Sequence, residues 1–149
     1  MSTDRHYPDE VAGPFESPPV RFGDREGREI EIRAYTGSEA EYEALASMYI
    51  AFDPADRAQG IPPSNEERIH QWLDSILSEE CLNVIAWDGE EAAGHATLVP
   101  DDDVHELAIF VLQAYQEAGI GTRLMKALLG YGAESGVERG WLTVERWNE

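Results

Sequence analysis

The sequence predicts one α/β domain with a mixed central sheet flanked by helices, in the order β-α-α-β-β-β-α-β. A chain of 149 residues is the size of one ordinary domain. Its content of 42% hydrophobic and 28% charged residues is typical of a globular protein. Along the chain, apolar residues recur first with a period of two and then with a helical period, which indicates alternating strands and helices.

Residues 1–27 contain several prolines, scattered charges and no hydrophobic period, so we expect a loosely ordered N-terminal arm there. The domain itself is expected to span residues 28–149. Its first strand begins near Ile30, where Ile30, Ile32 and Ala34 alternate with polar residues. An alternation of this kind predicts a strand with one buried face.

Two helices are expected next. Ser38–Glu41 has the pattern of a capping box, which predicts that a helix begins there, and Asp53-Pro54 ends it. A second capping box, Ser64–Glu67, opens a helix whose apolar stripe runs from Ile69 to Leu77. The residues between the two helices are expected to form an irregular loop.

The second half of the chain is predicted to form four more strands and one helix. Leu82–Trp87 and Ala92–Val99 are apolar runs separated by an Asp-Gly turn signal, which predicts an antiparallel hairpin. Val104–Leu112 is apolar over most of its length, as expected of a fourth strand with both faces covered. A third helix is expected from about Gly121, and Trp141–Val144 is expected to form a fifth strand.

The charge balance excludes some partners. The chain has 30 acidic and 11 basic residues and a formal net charge of −19. Such a surface repels a phosphate backbone, so we expect no nucleic-acid partner. The composition is typical of a halophilic protein, because high salt screens the repulsion between acidic side chains. The alternative is a specific acidic interaction surface.

The sequence also predicts a cytoplasmic protein. The single cysteine, Cys81, allows no internal disulfide. No apolar run approaches the roughly 20 residues needed to cross a bilayer, and the N-terminus lacks the layout of a signal peptide. We therefore expect no membrane partner. His70 and His95 are isolated and lack the spacing of metal ligands, so no metal is expected.

The segment between the fourth strand and the third helix carries the strongest chemical signal. Gly119 and Gly121 lie where a strand leads through a turn into a helix, so backbone amides gather at the positive end of the helix dipole. Because glycines have no side chain, a phosphate group can approach this backbone closely. Arg123 could neutralise the phosphate, or it could simply be exposed. The dinucleotide-binding and P-loop motifs are absent from the sequence.

Gln116, Gly119 and Gly121 match the pattern Q/R-x-x-G-x-G/A, and in this the sequence resembles the GNAT superfamily of N-acetyltransferases. The order of elements from Ile30 onward is similar to that of the family. The resemblance implies a GNAT-like, acetyl-CoA-binding domain that moves an acetyl group from acetyl-CoA to a primary amine of a small molecule or protein. The alternative is a non-catalytic acyl-CoA-binding or regulatory module.

The resemblance also implies which residues bind acetyl-CoA. The end of the fourth strand would hydrogen-bond the pantetheine arm, and the amides after it would hold the pyrophosphate. The fourth and fifth strands would diverge around the thioester. With Arg123 included, the expected acetyl-CoA-binding residues are Ile109, Phe110, Val111, Gln116, Glu117, Ala118, Gly119, Ile120, Gly121, Thr122, Arg123 and Asn148.

Acetyl transfer needs a base for the amine, a donor for the developing oxyanion and a proton for the thiolate. Glu106 and His105 lie on the fourth strand, near where many family members have a carboxylate, and are the candidate catalytic bases. A bulge in that strand would decide which of them faces the acceptor. The alternative is that one faces solvent and the other is a hydrogen-bonded spacer.

The resemblance weakens at the C-terminus. Family members continue past the fifth strand into a helix, which often carries the tyrosine that protonates the thiolate, and into further strands. The sequence ends at Trp147–Glu149, so we expect a C-terminally short domain without that tyrosine. The exposed edge of the fifth strand would favour a homodimer that covers it.

Overall fold

A six-stranded mixed sheet forms the centre of the computed structural model, which describes residues 17–52, 66–78, 80–101, 104–134 and 141–146. Two helices pack on one face of the sheet and the third helix packs on the other. In chain order the elements are β1 (Val20–Gly23), β2 (Glu29–Ala34), α1 (Glu39–Ile50), α2 (Glu66–Ile76), β3 (Leu82–Asp88), β4 (Glu91–Asp101), β5 (Val104–Val111), a 3-10 turn (Gln113–Tyr115), α3 (Ile120–Glu134) and β6 (Trp141–Arg146).

The sheet confirms the predicted α/β class. Strands β1 to β5 lie side by side in chain order, and each is antiparallel to the next. Strand β6 lies beside β5 and runs parallel to it, which a crossover through α3 permits. The fourth and fifth predicted strands are therefore β5 and β6 of the structure.

Strand β1 corrects the predicted boundary of the arm at residue 27. Val20–Gly23 pairs with β2 in the sheet, with Val20 opposite Ile32 and Gly23 opposite Glu29. Phe22 packs against the core, and Gly27, with φ +85°, supplies a left-handed residue in the turn that follows. The domain therefore includes this hairpin. Residues 1–16 lie outside the described residues, and the arm there stays a prediction.

The first predicted helix start is confirmed in atomic detail. The hydroxyl of Ser38 accepts a hydrogen bond from the amide of Glu41 at 3.2 Å, and the carboxylate of Glu41 accepts one from the amide of Ser38 at 3.0 Å. Two free amides at the start of α1 are thereby satisfied. The second capping box and the loop before α2 lie largely outside the described residues.

Strand β5 has both faces covered, as predicted. Leu107, Ile109 and Val111 belong to the core that α3 closes, whereas Phe110 belongs to the core formed with α1 and α2. All four side chains are buried. Because residues alternate between faces along a strand, Glu106 lies on the same face as Phe110.

Among the described helices, none is both long enough and apolar enough to cross a membrane.

Candidate active site

The candidate phosphate site begins where β5 ends. The amide of Leu112 donates to the carbonyl of Ala93 at 3.0 Å, which extends the pairing with β4 by one residue. After the 3-10 turn, Nε2 of Gln116 donates to the carbonyl of Val111 at 3.0 Å. The glutamine of the signature therefore folds back on the strand and fixes the turn that leads to the glycines.

The loop between the 3-10 turn and α3 has two left-handed residues. Glu117 has φ +62° and Gly119 has φ +92°. A left-handed conformation is uncommon for a residue other than glycine, so contacts around the loop must hold Glu117 in place. Arg25 supplies two such contacts. Its Nη1 donates to the carbonyl of Glu117 at 2.9 Å, and its backbone amide donates to the carbonyl of Ala118 at 3.2 Å.

Backbone amides of this loop and of the first turn of α3 are available to a ligand. Within the described part of the chain, none of the amides of residues 117–122 donates to a protein acceptor. The first amides of any α-helix lack partners inside the helix. Because α3 is 15 residues long, its dipole adds to the positive potential at this end.

Open space adjoins the same amides. A Cβ atom built on Gly119 would meet no heavy atom within 4 Å, and one on Gly121 would meet only Cγ2 of Val111 at 3.8 Å. No side chain or backbone therefore crowds these two glycines, and the start of the helix favours an anion there. The acetyl-CoA-binding residues predicted from 116 to 122 are brought together here, at the end of β5.

Positive side chains surround the loop in a protein of net charge −19. Arg28 lies 4.3 Å from the ring centroid of Tyr115, and its Nη1 donates to the carbonyl of Ala114 at 3.2 Å. The guanidinium of Arg123 lies 4.6 Å from the ring centroid of Phe22 on β1. Arg25 and Arg28 were not predicted as site residues, because the sequence places Arg25 in the expected arm and Arg28 at its border.

The candidate bases lie on the same strand, before the phosphate site. The exposed residue Glu106 is opposite Val99 of β4 and Thr143 of β6. The pairing of β5 with both neighbours shows no register shift, so its described residues contain no bulge that would change which residue faces the acceptor. Glu106 therefore faces the side of the sheet that carries α1 and α2. His105 lies beside it in the strand, and its side chain is outside the described set.

The pairing of β5 with β6 limits where the thioester could lie. It runs from Val104 opposite Trp141 to Ile109 opposite Arg146. Within the described residues the two strands stay paired from end to end of β6, so the divergence that the family resemblance implies stays a prediction. Asn148, the last predicted acetyl-CoA-binding residue, is outside the described residues.

A buried chain of polar groups holds α1 and α2 on the sheet beneath this face. His95 is 0% exposed; its Nδ1 lies 2.6 Å from the hydroxyl of Tyr49 and its Nε2 lies 2.7 Å from Oδ1 of Asn83. Nδ2 of Asn83 donates to the carbonyl of Ile76 at 3.0 Å, so Oδ1 is left to accept from His95. The network thus assigns the proton of His95 to Nε2 and makes Tyr49 the donor to Nδ1.

Burial fixes the protonation of this chain. It lowers the pKa of His95 to about 3 and raises the pKa of Tyr49 well above its ordinary value. Both groups are therefore neutral at pH 7. Because both ring nitrogens of His95 are engaged and the side chain is enclosed, it acts as a structural link between elements. Among the described residues, no group of three or more His, Cys, Asp or Glu is placed to hold a metal ion.

Comparisons with known proteins bear on the family and the fold of the chain. The family model described as the acetyltransferase (GNAT) family matches residues 42–149, which is well over half of the chain. A search of curated proteins found no match.

Solved structures share the fold. The GNAT domain of S. lividans PAT is 20% identical, with a TM-score of 0.62 over 81% of this chain and 77% of that one. The aminoglycoside N-acetyltransferase AAC(6')-Iy, solved in complex with CoA, is 18% identical, with a TM-score of 0.57 over 80% of this chain and 78% of that one. An aminoglycoside 6'-N-acetyltransferase complexed with coenzyme A is 22% identical, with a TM-score of 0.54 over 70% of this chain and 56% of that one. Because the family model matches most of this chain, we conclude that the chain belongs to the GNAT acetyltransferase family.

Proposed function

We propose that this chain is an N-acetyltransferase that moves the acetyl group of acetyl-CoA to a primary amine of a small molecule or protein. The observation that carries the proposal is the array of outward backbone amides at the start of α3, with open space at Gly119 and Gly121. It lies at the end of β5 in a chain of the GNAT family. The two aminoglycoside acetyltransferases of similar fold were solved with coenzyme A, which favours a coenzyme A thioester as the donor here.

Each part of the donor has a proposed contact. The amides of residues 117–122 hold the diphosphate, and Gln116 keeps their turn in place through the carbonyl of Val111. Arg123, in the first turn of α3, contributes positive charge. The pantetheine arm lies along the end of β5, at Ile109, Phe110 and Val111. Asn148 stays a proposed contact on the basis of the family resemblance.

The reaction balances without a further co-reactant. The amine nitrogen attacks the acetyl carbonyl, a C–N bond forms, the C–S bond breaks, and coenzyme A leaves as a thiolate that takes up a proton. A base removes the proton from the amine. Glu106 is the proposed base because it is exposed on the face where α1 and α2 cover the neighbouring residues of β5. His105 is the alternative base.

The test is a transfer assay with the purified protein. Acetyl-CoA is mixed with a panel of primary amines and lysine peptides, free thiol is followed with a chromogenic reagent, and acetylated amines are identified by mass spectrometry. We expect thiol release that depends on one class of amine, with one acetylated product per thiol. Binding of acetyl-CoA without transfer to any amine would contradict the proposal and favour a non-catalytic acyl-CoA-binding module.

Glu106→Gln tests the assignment of the base. Loss of a general base typically lowers kcat by about 10²–10⁴-fold at neutral pH, and the affinity for acetyl-CoA should stay within about two-fold. A rise in rate with pH in the variant would agree with this role, because free amine then replaces the missing base. If Glu106→Gln keeps full activity, the assignment passes to His105, and His105→Gln should then show the loss.

Assembly and location also stay proposals. Strand β6 ends the order of strands in the described sheet, with β5 on one side. We propose that a second copy of the chain covers the other edge, since open strand edges favour pairing. Light scattering after size exclusion should then give the mass of a dimer, and a monomer at micromolar concentration would contradict it. Cytoplasmic location is proposed from the sequence and can be checked by cell fractionation.

A further inference from the structure

The turn between β1 and β2 contacts the 3-10 turn and the loop that leads from it into α3. This turn spans Asp24 to Arg28, outside residues 42–149 that match the family model. It donates hydrogen bonds to the carbonyl of Ala114 in the 3-10 turn and to the carbonyls of Glu117 and Ala118 in the loop that follows. All three contacts reach across more than 80 residues of sequence.

The turn is itself rigidly held. The side chain of Asp24 is 0% exposed, and its Oδ1 accepts from the amides of Glu26 and Arg28, each at 2.9 Å. Its Oδ2 accepts from Nε of Arg28 at 2.8 Å. The amide of Gly27 donates to the carbonyl of Asp24 at 3.0 Å and closes the turn. A turn closed in this way presents Arg25 to the loop in a defined position.

The contacts of Arg25 fix the direction of two amides in the loop. In a planar trans peptide, the C=O and the N–H point in opposite directions. The carbonyl of Glu117 points at the guanidinium of Arg25, so the amide of Ala118 points away from it. The carbonyl of Ala118 points at the amide of Arg25, so the amide of Gly119 points away as well. Both amides thus lie on the side of the loop that faces away from the turn.

We propose that Arg25 is a positioning residue for the acyl donor: it holds the carbonyl side of the loop so that the amides of Ala118 and Gly119 are presented to the diphosphate. The inference rests on the proposed binding of acetyl-CoA. It also explains how Glu117 keeps its left-handed conformation, because the carbonyl of this residue is the one that the guanidinium holds.

Two other roles for Arg25 give different results. A direct contact with the 3'-phosphate would confine the loss of affinity in Arg25→Ala to the ligand that carries this phosphate. A direct contact with the diphosphate would weaken both ligands but leave the loop unchanged in the protein without ligand. A purely electrostatic role in an acidic protein would be shared by any exposed arginine nearby. Arg21 is the matched control, since it lies on β1 and pairs with Glu31 at 3.4 Å, away from the loop. Arg21→Ala and Arg25→Ala remove the same charge from the same hairpin.

The test is calorimetric titration of the wild type, Arg25→Ala, Arg25→Lys and Arg21→Ala with coenzyme A and with 3'-dephospho-coenzyme A. We expect Arg25→Ala to weaken both ligands equally, by about ten-fold, which is the typical effect of one hydrogen bond to a charged donor. Arg25→Lys should recover part of the affinity, and Arg21→Ala should stay within about two-fold of wild type. Without ligand, Arg25→Ala should shift the backbone amide resonances of residues 117–119 in nuclear magnetic resonance spectra, because the loop is no longer held, and leave the melting temperature nearly unchanged.

Each other outcome overturns a stated part of the account. The positioning role alone would be overturned by wild-type affinity in Arg25→Ala, by an equal loss in Arg21→Ala, or by a loss confined to the ligand with the 3'-phosphate. Unchanged amide resonances of residues 117–119 in Arg25→Ala without ligand would overturn it as well. Wild-type protein that binds neither ligand would overturn the proposed function and the positioning role with it.

Discussion

At the scale of single residues, the buried histidine gives the sharpest pH prediction. The pKa of His95 is lowered by burial to about 3, whereas an unfolded histidine titrates near 6.5. At a pH between these two pKa values, His95 is protonated in the unfolded state and neutral in the folded state. The free energy of unfolding should therefore fall as pH decreases from about 6.5 towards 3, by at most about 1.4 kcal/mol per pH unit from this group.

Nuclear magnetic resonance of the histidine side chains measures this directly. The ring of His95 should show the neutral form with the proton on Nε2 and should not titrate down to about pH 4 in folded protein. A titration of its ring near pH 6.5 while the protein stays folded would show that the buried chain from Tyr49 to Asn83 is wrongly described.

The sequence predicted part of the candidate site at this scale. Gln116, Gly119 and Gly121 were found because their spacing is fixed by one local turn, and the structure gathers them at the end of β5. Arg25 and Arg28 could not be found in the same way. Their contacts with the loop depend on how two distant segments pack, and no local spacing records that.

At the scale of elements, the packing of α3 on the sheet depends on Gly94. A Cβ atom there would lie 2.9 Å from Cδ1 of Leu124 on α3 and 3.2 Å from the carbonyl oxygen of Phe110. The leucine can shift but the backbone carbonyl cannot move freely. Gly94→Ala should therefore lower the free energy of unfolding by about 1–3 kcal/mol, measured by urea denaturation. A neutral result would contradict the close approach of helix and sheet.

Gly23 provides the matched control. A Cβ atom at this position in β1 would meet nothing within 4 Å. Gly23→Ala should be neutral or stabilise the protein by up to about 1 kcal/mol, because it reduces the entropy of the unfolded chain.

The start of α1 gives a second prediction for an element. Ser38→Ala removes the acceptor for the amide of Glu41 and should lower the free energy of unfolding by about 1 kcal/mol. Ser47→Ala, at an exposed position within the same helix, should be neutral or slightly stabilising because alanine favours helices. Equal effects of the two substitutions in urea denaturation would show that the capping box does not stabilise α1.

Most elements could be predicted because their apolar pattern is clear, as in the helical stripe of α2 and the nearly continuous apolar run of β5. Strand β1 was missed because it has only four residues and follows two prolines. Four residues are too few to show a clear alternation of apolar and polar side chains. The register shift between Ala86 and Trp87 in the hairpin of β3 and β4 also left no sequence signal. Ala86 packs in the core that α3 closes, and Trp87 packs in the core formed with α1 and α2.

At the scale of the whole molecule, the net charge of −19 should make stability depend on salt. Repulsion among exposed carboxylates destabilises the compact state, and salt shortens its range from about 10 Å at 0.1 M to about 3 Å at 1 M. The melting temperature should therefore rise between 0.1 and about 2 M salt, by similar amounts in KCl and NaCl. A melting temperature that is constant or falls would contradict a destabilising charge repulsion.

The most direct test of acetyl-CoA binding at the start of α3 is calorimetric titration of the wild type, Gly121→Ala and Gly121→Asp. An alanine side chain has room, with Val111 at 3.8 Å as its nearest neighbour, so Gly121→Ala should bind nearly as the wild type does. Gly121→Asp should fold at least as well, because an acidic residue favours the start of a helix. It should nevertheless lose at least about 100-fold in affinity through repulsion of the diphosphate. Wild-type affinity in folded Gly121→Asp, or a wild type that does not bind acetyl-CoA, would contradict the account.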